Sequence, residues 1–83
     1  MTQAEILAIL TDLFREILDN PLIELKPTDT DSDIPGFDSA KKVHLVLSVE
    51  DRFGIQLRSR EIDGLRSVAD WMHLIRVRSG AAA

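Results

Sequence analysis

Apolar residues recur in this chain at intervals of three and four, in runs bracketed by helix-start and helix-stop signals. Ile6, Leu7, Leu10, Leu13, Phe14, Ile17 and Leu18 form the first such stripe, behind a capping box of Thr2 and Glu5. They predict an amphipathic helix over residues 3–19. Asn20-Pro21 should stop it, because proline has no N–H to donate and restricts the residue before it. A second helix is expected over residues 39–53, with Val43, Val46, Leu47 and Phe53 on one stripe, Leu45 and Val49 widening it, and Gly54 as a left-handed terminus. Ser59 to Asp63 reads as one capped turn ended by Gly64. Ser67 and Asp70 then make a second capping box, opening a last helix over residues 68–78 that buries Val68, Trp71, Met72 and Ile75. No convincing pair of strands is present. The expected fold is all-α, a small four-helix bundle of three longer helices and one short one, with a long first loop.

That loop, residues 21–38, has no sustained periodicity and is long for a small domain. Leu22, Ile23, Leu25, Ile34 and Phe37 are expected to pin it to the helices while residues 28–33 stay in water, and Pro35-Gly36 signals a turn. With 83 residues there is room for a single domain over 1–83, structured over about 3–78 with a frayed tail at 79–83. Cysteine is absent, so neither disulfides nor thiolate–metal bonds support the fold. No basic region followed by an apolar run marks a signal peptide, and no stretch reaches the ~20 apolar residues of a membrane span. A cytoplasmic protein is the expectation. The formal net charge of −4 disfavours nucleic acid as a partner, since its binders usually present a basic face.

The chemistry centres on Gly36-Phe37-Asp38-Ser39, where the loop meets the second helix. A hydroxyl on the first turn of a helix is held away from the core and lies near backbone N–H groups that have no intrahelical acceptor. The partial positive charge of a helix N-terminus suits a bound or covalently attached anion there. The plainer alternative is that Asp38 or Ser39 only caps the helix. A serine nucleophile would need a base within reach. His44 lies five residues on, a turn of roughly 500° that leaves it about 140° away from Ser39. The glycine-flanked strand-turn-helix setting of hydrolase serines is also missing. Asp29, Asp31 and Asp33 resemble the opening of a calcium loop, but Ile34 stands where glycine is needed and Ala40 where the bidentate glutamate belongs. A solvated acidic loop is the better reading. His44 and His73 fall on different helices and read as surface or core-edge residues, so no metal site is expected. Trp71 and Met72 read as core.

From Asp33 to Ile55 the run DIPGFDSAKKVHLVLSVEDRFGI resembles the core of an acyl carrier protein. The Asp38-Ser39 pair, the apolar helix after it, Glu50, the Phe53-Gly54-Ile55 exit and the closing Ser67-Val68-Ala69-Asp70 stand in that family's order and spacing, and the resemblance covers roughly residues 3–77. It implies that Ser39, preceded by Asp38, is esterified by a phosphopantetheinyl transferase. The product would carry a 4′-phosphopantetheine arm whose thiol holds acyl intermediates as thioesters for enzymes of fatty-acid, lipid or polyketide-type synthesis. A carrier of this kind is not an enzyme. It is expected to be a monomer whose partners are the transferase and the acyl-loading and acyl-transferring enzymes.

The resemblance also implies a partner-recognition set of Phe37, Ala40, Lys41, Lys42, His44 and Glu50. In the family the second helix usually presents acidic residues to basic partners, and leucine usually follows the serine. Here Ala40 follows it, and over residues 38–53 Asp38, Glu50 and Asp51 are balanced by Lys41, Lys42 and Arg52. Because charge complementarity governs encounter and partner choice, a specialised rather than a housekeeping carrier is expected. Val43, Val46, Leu47, Val49, Ile55, Ile62, Leu65, Val68 and Trp71 supply apolar surface for either a close core or an acyl cavity. The alternative is a helical protein-interaction module of the same fold with no prosthetic group; a hydrolase using Ser39 is the remote enzymatic one.

Overall fold

The computed structural model describes residues 1–79, so most of the expected frayed tail, 80–83, lies outside the described residues. Among the described residues there are four α-helices: α1 (Gln3–Ile17), α2 (Ser39–Phe53), α3 (Ser59–Asp63) and α4 (Val68–Ser79). One short 3-10 turn, Asp31–Asp33, interrupts the first loop. No described helix is long and apolar enough to cross a membrane.

α1 begins as expected, with Glu5 N–H donating to the Thr2 hydroxyl at 3.1 Å and Thr2 N–H donating back to Glu5 at 2.9 Å. Its end differs from the expectation. The helix closes at Ile17, before Asn20-Pro21 can act, because Asp19 turns left-handed at φ +50°. Asn20 N–H then donates to Arg15 C=O at 2.9 Å and Asp19 N–H to Glu16 C=O at 3.3 Å, the paired bonds of a Schellman turn.

α1, α2 and α4 pack on one another, and Ile6, Leu10, Phe14, Leu45, Val49, Val68, Trp71 and Ile75 are almost wholly buried between them. Trp71 brings its indole N–H into this core without an acceptor among the described residues, a cost of about 1–3 kcal/mol that burial of so large a ring exceeds. The inward face of α2 is Leu45, Val46 and Val49, with Phe53 half-buried. Val43 and Leu47, expected in the stripe, are instead 62% and 60% exposed. Between Val43 and Val49 apolar residues lie on several sides of this helix, so the positions of α1 and α4 decide which side is covered.

The first loop is anchored by Ile23, Leu25 and Ile34, whereas Leu22 is 85% exposed and anchors nothing. Arg15 donates to Ile23 C=O at 2.7 Å, tying the loop to α1. The loop in turn completes α4: Val68 N–H donates to Asp29 C=O and Ala69 N–H to Pro27 C=O, both at 2.9 Å. These are two of the N-terminal donors that a helix cannot satisfy internally. Within the cap itself, Ser67 N–H donates to the Asp70 carboxylate at 3.1 Å and Asp70 N–H to the Ser67 hydroxyl at 3.3 Å. The three aspartates of the calcium-like run are turned to separate tasks. Asp29 accepts from Lys26 N–H, Asp31 from the Lys42 ammonium and Asp33 from Thr30. Among the described residues no cluster of metal-ligating side chains forms.

The caps make the fold sensitive to acid. Backbone N–H donation from Arg66, then from Ser67, holds the Asp70 carboxyl below the usual carboxylate range. Donation from the Thr30 backbone lowers Asp33, and the Thr2 and Arg58 backbones lower Glu5 and Glu61 in the same way. A carboxyl depressed in the folded state contributes stability that is complete above its unfolded value, near pH 4, and lost as pH falls through the lower folded value. The melting temperature should therefore fall between pH 5 and pH 2, and Asp70→Asn should reduce the part of that fall due to Asp70, as thermal melts across the range will show.

Candidate functional site

Local geometry places Ser39 at the surface. Ile34, Pro35, Gly36 and Phe37 form a tight turn closed by Phe37 N–H donating to Ile34 C=O at 3.2 Å, with Gly36 at φ +81°. Proline at the second position and a left-handed glycine at the third are what a type II turn demands. A side chain at Gly36 would meet only Leu18, at 4.0 Å, so the obstacle to replacing it is backbone strain rather than space. Gly36→Ala should cost about 1–2 kcal/mol, read as a lowered denaturant midpoint with an unchanged slope.

Beyond the turn, Phe37 reaches back to α1 and meets the Phe14 ring at a centroid distance of 5.0 Å and a 52° tilt. Asp38 is extended and caps α2, its carboxylate accepting from Lys41 N–H at 2.8 Å. The capping role thus falls to Asp38, leaving Ser39 as the first helical residue, exposed, with no capping duty. Beside it is an open hollow of about 340 Å³ lined by Asp31, Ser32, Phe37, Asp38, Ser39 and Lys42. His44 lies exposed on α2, and no hydrogen bond joins it to Ser39 among the described residues, so no serine–base pair is assembled. His73 is exposed on α4.

The other residues expected to face partners divide into two groups. Ala40 and His44 are exposed and Lys41 is half-buried, all on the first turns of α2. Lys42, Glu50 and Phe37 are turned to the protein itself. The Lys42 ammonium donates to Leu65 C=O at 2.6 Å and stands 3.5 Å from the Asp31 carboxylate. The Glu50 carboxylate accepts from Leu57 N–H at 2.8 Å, holding the chain that leaves α2 through Gly54 at φ +66°. Their charges mark them as surface residues in the sequence, but their acceptor and donor are backbone groups that no local pattern reveals. Conversely, Val43 and Leu47, assigned to the core from sequence, lie one and two turns beyond Ser39 and extend its exposed face as an apolar strip.

This arrangement offers an exposed serine hydroxyl with no base hydrogen-bonded to it among the described residues, at a helix start whose dipole favours an attached anion. Comparisons with known proteins show the family. A family described as the phosphopantetheine attachment site matches residues 8–75. The acyl carrier protein of Acidothermus cellulolyticus is 27% identical over 70 residues, covering 84% of this chain and 83% of that protein. The meromycolate extension acyl carrier protein of Mycolicibacterium smegmatis is 30% identical over 69 residues, covering 83% of this chain and 70% of its own. Among solved structures, the holo acyl carrier protein of Geobacter metallireducens superposes with a TM-score of 0.84 at 28% identity, covering 92% of this chain and 87% of that one.

Proposed function

This chain belongs to the acyl carrier protein family, defined by its phosphopantetheine attachment site, and from that premise we propose that Ser39 is the point of attachment. The observation that carries the proposal is the division of labour at the start of α2: Asp38 satisfies the helix end, and Ser39 is left exposed beside the hollow. The residues fit a phosphodiester at that place, since the start of the α2 dipole and the side chain of Lys42 offer positive charge at the hollow that Ser39 lines. When bound, the arm supplies a thiol that carries acyl groups as thioesters. The protein's own part is to hold the serine rigidly, to keep it accessible to a phosphopantetheinyl transferase, and to offer α2 to the enzymes that load and use the cargo. It performs no turnover itself, acts as a monomer and works in the cytoplasm.

Incubation with coenzyme A and a broad-specificity transferase should raise the intact mass by one phosphopantetheinyl group. No gain with any transferase, including that of the source organism, would instead mark an interaction module without a prosthetic group.

The partners are specialised ones. Around Ser39 the surface is the apolar pair Val43 and Leu47 with Ala40, Lys41 and His44, and it lacks the acidic character that basic partners read. Leu47→Asp should change stability by no more than about 0.5 kcal/mol, as surface substitutions usually do. The same change should lower kcat/KM of the transferase for this carrier by roughly tenfold, the effect of removing an apolar anchor worth about 1–2 kcal/mol. Full exchangeability with a housekeeping carrier across fatty-acid synthase enzymes would refute the specialisation.

A further inference from the structure

We propose that Lys42 is the counter-ion of the arm's phosphate and that loading Ser39 therefore tightens the protein. The inference rests on Ser39 being the attachment point. Lys42 follows Ser39 by three residues, which puts both side chains on one side of the first turns of α2, and both line the same hollow.

The two contacts of the Lys42 ammonium are unequal. Its 2.6 Å bond to Leu65 C=O is short, whereas 3.5 Å to Asp31 is well beyond the roughly 2.7–2.9 Å of a good charge-assisted bond. An ammonium has three donors. The side chain is thus fixed at one point and has donors to turn toward a new anion without leaving Leu65.

The charge around the hollow calls for such a turn. Asp31 and Asp38 already place two carboxylates there, and a phosphodiester on Ser39 adds a third negative group. Lys42 is the only cationic side chain among those lining it. It is also only 23% exposed, so its interactions are screened less than those of a fully exposed lysine. In the unloaded protein its spare donors lean toward Asp31. In the loaded protein they take the phosphate, and because the same ammonium keeps Leu65, the arm becomes linked through Lys42 to the connection between α3 and α4.

The test compares apo and phosphopantetheinylated forms of the full chain, for the native sequence and for Lys42→Gln, Lys42→Arg and Arg52→Gln. Each pair is melted at low and high salt, and the 31P spectrum of each loaded form is recorded. The loaded native protein should melt about 2–5 °C above the apo form at low salt, with the difference shrinking at about 1 M salt. Lys42→Arg should keep the difference. Lys42→Gln should abolish it and shift the phosphorus resonance. Arg52→Gln removes a charge from the last turn of α2 and should alter neither. Because each comparison is loaded minus apo within one variant, the lost Leu65 contact in Lys42→Gln cancels. An equal loaded-minus-apo difference and an unmoved resonance in Lys42→Gln would overturn the proposal, leaving Lys42 as a structural tether. A native chain that gains no mass would overturn the Ser39 assignment, and this inference with it.

Discussion

Ser39→Ala should leave the protein folded and remove the whole of the mass gain expected on incubation with coenzyme A and a transferase. The effect should be complete rather than graded, because the substitution deletes the exposed hydroxyl that directly follows the capping Asp38 and lines the hollow. Ser32 lies in the same hollow, but its hydroxyl is within hydrogen-bond distance of the Thr30 hydroxyl, at 3.1 Å, on a short 3-10 turn. Ser67 caps α4 and accepts from Asp70 N–H. Ser48 is half-buried on α2. Ser59 is exposed at the start of α3, but that helix has only five residues and is preceded by Arg58 rather than by a capping aspartate. Stability should barely change in Ser39→Ala, since Asp38 caps α2 and the serine makes no capping bond. Intact mass and a thermal melt on the same sample check both parts. Retention of the mass gain would move the attachment to another residue.

Phe14→Ala should lower stability by about 3–5 kcal/mol, as truncating a buried aromatic usually does. Phe14 is 1% exposed and packs among Ile6, Leu10, Leu45 and their neighbours in the common core of the three long helices. Against a total stability of the order of 5–15 kcal/mol for a domain, that is a large fraction. The loss also reaches the site, because Phe14 is the ring against which Phe37 packs at a tilt, two residues before Ser39. Chemical denaturation should show the loss of stability. In the folded fraction, hydrogen exchange should show faster opening of residues 34–38 than in the native protein. Unchanged protection of that turn would mean that Gly36 and the Asp38 cap position it without the aromatic pair.

What the sequence reveals best is what is built within four residues. The capping boxes of Thr2 with Glu5 and Ser67 with Asp70, the limits of α2, the short α3 and the Pro35-Gly36 turn all stand as expected. Each rests on a side chain bonding a nearby backbone group, or on the special freedom or restriction of a residue's φ. The end of α1 is the exception: Asp19 took the left-handed position usually filled by glycine, so the helix closed before the proline. Longer-range facts were not legible. Leu45 and Val49 outrank Val43 and Leu47 in burial only because of where α1 and α4 happen to lie. Likewise Lys42 and Glu50 carry formal charges that suggest solvent, yet their partners are the carbonyl of Leu65 and the N–H of Leu57. The position of Ser39 was therefore visible in the sequence, whereas the side chains that support it and the face displayed beside it were not.

The capping of α4 by the carbonyls of Pro27 and Asp29 has a kinetic consequence. The two halves of that junction are about 40 residues apart in sequence, so the last helix is expected to complete its first turn only after the first loop has docked. A small helical protein usually folds through contacts close in sequence, and here α1 and α2 can meet early while the start of α4 waits for a distant segment. Substitutions at Ser67 or Asp70 should consequently speed unfolding more than they slow folding. Docking of the first loop is also what brings Asp31 to the Lys42 ammonium that holds the Leu65 carbonyl.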